Sequence, residues 1–433
     1  MNLIYLNCVK NADECDYLFV VSPKIETKLC TKCGSCNVVN YGRYTKLVRD
    51  ININEHYTAL KIRGHKHLCK DCGSIFVDRF NTLDLCSKMT NRLRCKIQQL
   101  SLTKPFKHIT RQYKLSVTTI EKIALAYIRE KDSQHIMYSP EVLGIDEAHL
   151  NGSIRCVLTD INEHLLFEML PKRDKQTVMN YLDSLPDSNN IKVVTMDMYR
   201  PYREAVYECL PDAAIVIDRF HVVKLINDVL SDYRKTLCKQ LSAAEKKEIN
   251  SVQKALNTNR KDLTANQNKK LGYIYSKYPE LKMAYDLKEE FREIYECTNR
   301  RAAVLKYTKW SRKVKQNFSP YISITETVNR WSLEIFNYFD HPYTNGVTEA
   351  INGCIKAIAR DGKGYSFEIL RGKVLYGQAY KTKAIFSYNK FSPTIHYVTD
   401  PSNRSSLNMI QNLMDLYKQI SGADIDRLKL GLF

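Results

Sequence analysis

The stretch Val142-Leu143-Gly144-Ile145-Asp146-Glu147 decides the fold, because it predicts a short apolar strand that ends in one carboxylate. A second stretch, Val193-Val194-Thr195-Met196-Asp197, has the same form 51 residues later. A third acid, Glu349, lies in a segment of helical character, Thr344 to Asn352. Carboxylate oxygens are the ligands that a hard cation such as Mg²⁺ prefers. The three acids therefore predict one metal site.

The elements around the first two acids follow the order of an α/β core. Strands are predicted over residues 142–145, 153–159, 164–170, 191–196 and 213–218, and helices over 175–185, 201–209 and from 219 onward. This β-β-β-α-β-α-β-α order over residues 136–222 matches a ribonuclease-H-like core, in which the first and fourth strands are neighbours. Reactive residues collect at strand ends in such sheets, so we expect Asp146 and Asp197 side by side.

Glu147 should not share the metal site, although it follows Asp146 directly. Successive side chains of a strand point to opposite faces of the sheet. We expect Asp146 to face the metal, and Glu147 to support the site from behind or to form a salt bridge.

Residues 344–390 are predicted to return the chain to the core. A helix over 344–358 places Glu349, Asn352 and Lys356 on one face, because they are spaced at i, i+3 and i+7. An acid, an amide and a lysine on one face suit a metal beside a phosphate. Residues 391–433 are predicted as a C-terminal helical tail, with an amphipathic helix over 407–420.

Residues 223–343 predict an all-α insertion between the two parts of the core. The stretch is rich in helix-forming residues, and it is too long to be a loop. Four of its side chains are candidates to approach DNA: Lys313, Lys315, Arg330 and Trp331. The alternative is that this surface is a scaffold or a dimer contact.

Residues 1–85 predict a zinc ribbon. Cys30-Thr31-Lys32-Cys33-Gly34 and Cys69-Lys70-Asp71-Cys72-Gly73 are two C-x-x-C-G knuckles, and residues 58–63 between them alternate with the period of a strand. Each glycine relieves the tight turn of its knuckle. Closed four-ligand sites are structural, so we expect this zinc to fold the domain and not to catalyse. A disulfide or redox pair is the alternative.

Other side chains near the knuckles receive lesser roles. Cys36, His65 and His67 are spare ligands, interpreted here as surface side chains near DNA. The predicted basic surface for phosphates comprises Arg43, Lys46, Arg49, Lys61, Arg63 and Lys66.

Residues 86–135 predict a helix-turn-helix. Helices are expected over 89–100, 106–113 and 117–129, with Ser116 as the cap of the last one. The last helix would offer Thr118, Thr119 and Lys122 to a major groove, and Lys107, Arg111 and Lys114 would contact backbone phosphate. An ordinary three-helix bundle is the alternative.

The charge of the chain indicates a polyanionic partner. The net charge is +19, and residues 1–140 contribute +11 of it, with 23 Lys and Arg against 12 Asp and Glu. Charge alone would also fit RNA or an acidic membrane surface. No signal peptide and no membrane helix are predicted, so we expect a soluble intracellular protein.

The chain resembles the DDE transposases of bacterial insertion sequences, specifically the ISL-three family. The resemblance covers nearly the whole chain. It rests on the paired knuckles, on Gly144-Ile145-Asp146-Glu147, on Asp197 with Tyr202, on the stretch from Pro211 through Asp218-Arg219-Phe220-His221-Val222, and on Asn345-Gly346 with Glu349, Asn352 and Lys356. The chain departs from the usual helix-turn-helix pattern at Thr110 and Lys114.

The resemblance implies that Asp146, Asp197 and Glu349 are the catalytic acids of a multidomain α/β enzyme. Three carboxylates can hold two Mg²⁺ ions for DNA cleavage and strand transfer. It also implies a cytoplasmic protein bound to the terminal repeats of its element and to target DNA, as a homodimer on paired ends. Two alternatives remain at this point: a zinc and helix-turn-helix regulator without enzymatic activity, and a nuclease that only hydrolyses.

Overall fold

The computed structural model describes residues 3–12, 15–23, 29–77 and 88–377. The predicted tail over 391–433, with its amphipathic helix at 407–420, lies outside the described residues. Among the described helices, none combines the length and the apolar character that a bilayer crossing requires.

The first sheet has the strand order β1-β2-β4-β3, with β5 beside β4. Its strands are β1 (Leu3–Ala12), β2 (Cys15–Pro23), β3 (Val38–Arg49), β4 (Thr58–Cys69) and β5 (Ile75–Val77). Antiparallel pairing of β3 with β4 sets Val38 opposite Cys69. The two knuckles therefore meet at one end of this strand pair, and the predicted alternation over residues 58–63 is confirmed as part of β4.

Three helices follow, and they form a small unit with its own core. They are α1 (Asn91–Thr103), α2 (Phe106–Tyr113) and α3 (Val117–Gln134), and the fully buried Ile97, Ile109 and Ile120 pack at their centre. Ser116 caps α3 as predicted, since its hydroxyl accepts a hydrogen bond from the Thr119 amide. Lys114, in the turn, adopts the left-handed conformation with φ 48°.

The first sheet is fastened to the end of α2. Arg49 Nη1 donates to the carbonyls of Tyr113 at 3.0 Å and Lys114 at 2.8 Å, and the Tyr57 hydroxyl donates to the Arg111 carbonyl at 3.0 Å. The last carbonyls of a helix have no partner within the helix, so these donors act as caps. The prediction that Arg49 belongs to a free phosphate-binding surface is therefore wrong.

The second sheet has the order β10-β9-β6-β7-β8. Its strands are β6 (Val142–Leu150), β7 (Ser153–Asp160), β8 (Leu165–Leu170), β9 (Val193–Met196) and β10 (Ala214–Ile217). The first strand of this sheet, β6, lies parallel to the fourth, β9, with Gly144 opposite Thr195. This pairing confirms that the first and fourth strands are neighbours.

The sequence predicts that the first strand ends at Asp146, and this boundary is wrong. Strand β6 continues to Leu150, because its antiparallel pairing with β7 extends to Leu150 opposite Ser153. Its parallel pairing with β9 stops at Gly144. Asp146 thus lies within a strand but just beyond the end of its parallel neighbour.

Helices cover the second sheet and fill the predicted insertion. They are α4 (Lys175–Asp183), α5 (Arg200–Cys209), α6 (Arg219–Lys239), α7 (Ala243–Ser251), α8 (Gln253–Asn257), α9 (Ala265–Lys277), α10 (Pro279–Arg292), α11 (Arg300–Asn317), α12 (Ile322–Arg330), α13 (Ser332–Phe336), α14 (Gly346–Gly362) and α15 (Phe367–Tyr376). Helices α7 to α13 lie between the two parts of the core, so the helical character of the insertion is confirmed.

Gly144 allows α14 to approach the centre of the sheet. A Cβ atom at this position would stand within 3.0 Å of Thr159 Oγ1 and Thr348 Oγ1. These two hydroxyls are hydrogen-bonded to each other at 2.6 Å and are buried between β7 and α14. The absence of a side chain at Gly144 therefore sets the distance between the sheet and the helix that carries Glu349.

We expect the Gly144→Ala variant to lose about 1–3 kcal/mol of unfolding free energy, because the added methyl overpacks a closed site. Urea unfolding followed by circular dichroism measures the loss. The matched control is Gly272→Ala in α9, where nothing lies within 4 Å of the new Cβ. That variant should gain about 0.5–1 kcal/mol from helix propensity. Equal stability of the two variants would contradict the role given to Gly144.

Candidate active site

Asp146 is held in place by hydrogen bonds to both of its carboxylate oxygens. The Glu147 amide donates to Oδ1 at 2.7 Å, and Asn352 Nδ2 donates to Oδ2 at 2.8 Å. The side chain is buried, with 8% of its residue surface exposed. Burial raises the pKa of Asp146 above its usual range, although both hydrogen bonds oppose this shift.

Asp197 follows the last residue of β9 and continues its register with β6. Paired residues of the two strands differ by 51 positions, from Val142 with Val193 to Gly144 with Thr195. Asp146 and Asp197 are separated by the same 51 positions. Burial, together with the nearby charge of Asp146, raises the pKa of Asp197 to about 8. The register of β6 and β9 supports the expected closeness of these two acids.

Glu349 reaches the site because the start of α14 is tied to the sheet. The buried Asn345 side chain donates to the Ile145 carbonyl at 3.1 Å and accepts from Thr195 Oγ1 at 3.1 Å and Thr348 Oγ1 at 2.8 Å. Glu349 lies one residue beyond Thr348. Burial, then the charge of Asp218, raises the pKa of Glu349 above its usual range.

Two further residues of the site received no role from the sequence. His221 Nε2 lies 3.0 Å from Asp197 Oδ1 and 3.9 Å from Glu349 Oε1. Asp218 caps α6 by accepting a hydrogen bond from the Phe220 amide at 3.2 Å. Both belong to the Asp-Arg-Phe-His block that follows β10. The sequence could have indicated their role, because helix α6 begins directly after this strand ends, and functional side chains collect at strand ends.

The donor set fits a divalent cation. Ligand atoms of Asp218, His221 and Glu349 lie within 4.8 Å of one another, and His221 connects them to Asp197. Asn352 Oδ1 is buried and accepts no hydrogen bond from the described residues, and the buried Asp197 Oδ1 has only His221 Nε2 beside it, at 3.0 Å and outside hydrogen-bond geometry. A bound cation would supply the missing partner for such buried oxygen atoms. It would also stabilise the ionised form of the neighbouring carboxylates, whose pKa values are raised.

Glu147 points away from these groups, as predicted. It forms an ion pair with Arg173 Nη1, and His149 Nε2 lies 3.5 Å from its other carboxylate oxygen. The alternation of side chains along β6 therefore separates Asp146, which accepts from Asn352, from Glu147, which pairs with Arg173.

The model of the ISL3-type DDE transposase family, described as "Transposase", matches residues 143–374, which is more than half of the chain. All three predicted catalytic acids fall inside the matched region. The chain belongs to the ISL3 family of DDE transposases.

Two curated relatives agree with this family. This chain is 26% identical over 359 residues to the transposase for insertion sequence element IS1001 of Bordetella parapertussis. The match covers 80% of this chain and 87% of that protein. The chain is 24% identical over 252 residues to the transposase for IS1557 of Mycobacterium tuberculosis, covering 52% and 56%. A DDE transposase cleaves and transfers DNA, so the regulator and the hydrolysis-only nuclease are set aside.

A cavity of about 770 Å³ lies beside the acids of the transposase, between the core and the insertion. Core residues Asp218, Phe220 and Glu349 line one side. The insertion contributes charged side chains of both signs that the sequence did not single out: the cations Arg260, Lys261 and Arg292, and the acids Glu289, Glu293 and Glu296. The insertion therefore forms one wall of the candidate active site.

Two of the four insertion residues that the sequence analysis proposed for DNA contact, Trp331 and Lys313, have partners within the protein. Trp331 is buried beneath the guanidinium of Arg203, which lies 4.1 Å from the ring centre. Lys313 pairs with Glu290. Burial and pairing favour the scaffold alternative for these two side chains, while Lys315 and Arg330 are exposed.

The four knuckle cysteines form a second candidate metal centre. Cys30 Sγ lies 3.5 Å from Cys72 Sγ, and Cys33 Sγ lies 3.6 Å from Cys69 Sγ. Sulfurs around a tetrahedral zinc with 2.3 Å bonds are about 3.8 Å apart, whereas disulfide sulfurs are about 2.05 Å apart. A hydrogen bond from Ser74 lowers the pKa of the Cys30 thiol to about 5, which favours the ligating thiolate.

The knuckle glycines adopt the tight-turn conformation that the sequence predicts, but His67, one of the spare ligands, is not on the surface. Gly34 and Gly73 have φ of 73° and 69°, the left-handed conformation that glycine permits. Cys36 is exposed and lies outside the four-cysteine group. His67 was expected on the surface, but it is buried and its ring centre lies 5.5 Å from that of Phe76.

The predicted DNA-contacting residues of the three-helix unit are mostly accessible. The exposed ones are Lys107, Arg111, Lys114, Thr118 and Lys122, and Lys356 of α14 is also exposed. Thr119 is half-buried, and its hydroxyl contacts that of Ser116 at 2.8 Å. The Lys114 ammonium lies 3.8 Å from the centre of the Tyr57 ring, so it is partly occupied before any DNA binds.

We expect His221→Ala to lower metal-dependent DNA cleavage about 10–100-fold, the usual effect of removing a group that orients metal ligands. His221→Gln should recover part of the activity, because its amide can still donate toward Asp197. Cleavage of labelled duplex at several Mg²⁺ concentrations measures both variants. Wild-type rates in His221→Ala would show that the imidazole has no part in the site.

Proposed function

We propose that Asp146, Asp197 and Glu349 are the catalytic acids with which this transposase cleaves the ends of its element and joins them to target DNA. The observation that carries the proposal is their shared surroundings. His221 contacts Asp197 and Glu349, and Asp197 continues the 51-residue register that pairs β9 with β6, the strand that carries Asp146. The family membership of the chain supports the same assignment.

These acids would hold two Mg²⁺ ions, which supply charge stabilisation at the attacking and leaving oxygens. The chain positions its acids before any metal binds. Asn352 orients Asp146, His221 lies against Asp197, and Asn345 anchors the helix of Glu349. Such fixed groups cost little reorganisation during the reaction.

The reaction proposed at this site is two successive displacements at phosphorus. In the first, a water oxygen forms a bond to the phosphorus at the element end, and the bond from that phosphorus to the 3′-oxygen breaks. The attacking water loses one proton, and the leaving 3′-oxygen takes one up. In the second, the freed 3′-hydroxyl forms the new bond to a target phosphate, and a target 3′-oxygen leaves. Each step exchanges one phosphodiester P–O bond for another P–O bond, so neither needs an external energy source.

The cavity beside the acids would receive the DNA backbone. Lys356 extends from the same helix as Glu349. The opposite wall carries Arg260, Lys261 and Arg292 among the acids Glu289, Glu293 and Glu296, and Lys261 pairs with Glu296 at 3.2 Å. Cationic side chains neutralise phosphates and release counterions, which favours binding. We assign the insertion, residues 223–343, to this substrate-binding role.

The remaining parts of the chain would hold DNA and organise the core. The strand order of the second sheet and the parallel first and fourth strands support a ribonuclease-H-like core over 136–222 and 344–390. The four-cysteine group supports a structural zinc in a ribbon over 1–85. The exposed start of α3 supports a helix-turn-helix over 86–135, which reads terminal repeats. Pairing of two ends would require at least a homodimer.

We expect Glu349→Gln to abolish both cleavage and joining while binding of the element end persists, because one metal-holding charge is removed at nearly constant volume. Labelled ends and a target plasmid with Mg²⁺ give both products in one assay, and gel shift gives binding. The matched control is Glu326→Gln, which makes the same change at an exposed position of α12. Joined product from Glu349→Gln would refute the catalytic assignment.

We expect one zinc ion per chain, and we expect Cys72→Ala to lose it together with the fold of the first sheet. Cys36→Ala removes a neighbouring cysteine outside the four-cysteine group, so its zinc content should match the wild type. Elemental analysis of the purified proteins measures zinc. Loss of zinc in both variants would mean that the ligand set is different from the one proposed.

A further inference from the structure

Helix α15 has apolar residues on two faces, and each face packs into a different core. Ile369 is fully buried in the core of the three-helix unit. Leu370 and Val374 are buried in the core formed with α14 and the second sheet. The helix therefore lies between the proposed DNA-reading unit and the proposed catalytic core, in contact with both.

Arg371 connects these two parts through one guanidinium group. Its Nε and Nη2 donate to the two carboxylate oxygens of Glu168 in β8, at 2.8 Å and 2.6 Å. Its Nη1 donates to Asp132 in α3 at 2.8 Å. The Tyr376 hydroxyl also donates to Asp132. A planar guanidinium with fixed donor directions holds both carboxylates in one geometry.

A second connection lies one and two residues further along α15, at Gly372 and Lys373. Lys373 is buried, and its ammonium donates to the carbonyls of Ser101 and Lys104 at the end of α1. Gly372 lies against Ile128 of α3, so closely that a Cβ atom would stand within 3.0 Å of that side chain. The contact surface is thus closely packed as well as hydrogen-bonded.

The connection holds α3 at the end opposite to the one that would read DNA. The helix has 18 residues, so it is about 27 Å long. Its first turn exposes Val117 and Thr118, whereas Asp132 lies in its last turn. A tilt of about 7° at the held end would displace the far end by about 3.4 Å, the rise of one base pair.

We propose that Asp132, Arg371 and Gly372 are positioning residues that determine which phosphodiester bond is cut relative to the bound repeat. They fix the angle of α3 on the catalytic core, and that angle fixes the distance from the recognised bases to the acids. This proposal rests on the proposed function, since it needs α3 to read DNA and the three acids to cut it.

The test uses Asp132→Ala in the full-length protein. This variant removes the α3 side of the connection and leaves the pair of Arg371 with Glu168 intact. The probe is a labelled duplex carrying the terminal repeat of the element, cleaved with Mg²⁺ and resolved at single-nucleotide resolution. The variant loses the hydrogen bonds that Asp132 accepts from Arg371 and Tyr376. We expect products cut at neighbouring phosphodiesters to rise about tenfold or more, with end binding within about twofold of the wild type.

The matched control is Glu130→Ala, which removes an exposed acid from the same helix two residues earlier. It should keep the single cut of the wild type. Gly372→Ala is a second variant, paired with Gly272→Ala, and it should also spread the cuts because the methyl pushes against Ile128.

The outcomes separate two kinds of failure. A single unchanged cut in both Asp132→Ala and Gly372→Ala would overturn the positioning role while the catalytic proposal stands. Absence of cleavage by the wild-type protein would overturn the catalytic proposal and the positioning role with it. Hydrogen exchange of the last turn of α3 gives a readout without cleavage, and unchanged exchange in Asp132→Ala would also overturn the connection.

Discussion

The buried hydrogen bonds of Asn345 are the constraint on which the site depends. This one amide joins the backbone of β6, the Thr195 hydroxyl of β9 and the first turn of α14. Glu349 follows Asp197 by 152 residues, and the whole insertion lies between them. A buried polar network of this kind is stable only when every member is satisfied, so it specifies one position for α14. Gly144 completes the constraint, because a side chain there would push the helix away from the sheet.

The packing of α14 against the second sheet places several carboxylates close together, at a cost in stability that a bound cation would offset. Burial raises the pKa of Asp146, Asp197 and Glu349, which means that the ionised site is unfavourable by itself. Asn352 and His221 provide only partial compensation. A divalent cation would complete it, so the energetic cost of the acids matches the chemistry of a DDE transposase.

The three-helix unit is held from both of its ends. Arg49 and Tyr57 of the first sheet cap α2, and α15 connects α1 and α3 to the second sheet. The side chains of Arg49, Tyr57 and Lys373 donate to carbonyls at helix ends, where backbone acceptors lack partners. Arg371 donates instead to the Asp132 carboxylate. In the described chain the three-helix unit is therefore joined to both sheets, which is the physical basis of the positioning role proposed above.

Local chemistry let the sequence determine much of this protein. Short local patterns predict the knuckles around Cys30 and Cys69 and the cap at Ser116. They also predict the strands that lead to Asp146 and Asp197, and the helical composition of the insertion. Only the tertiary structure decided that β6 continues past Asp146 and that His221 contacts Asp197. It also decided that Arg49, Lys373 and Arg371 join elements distant in sequence. These outcomes depend on which distant carbonyl or carboxylate lies within reach of a long side chain. That reach is set by packing between segments far apart in the chain, and no local pattern records it.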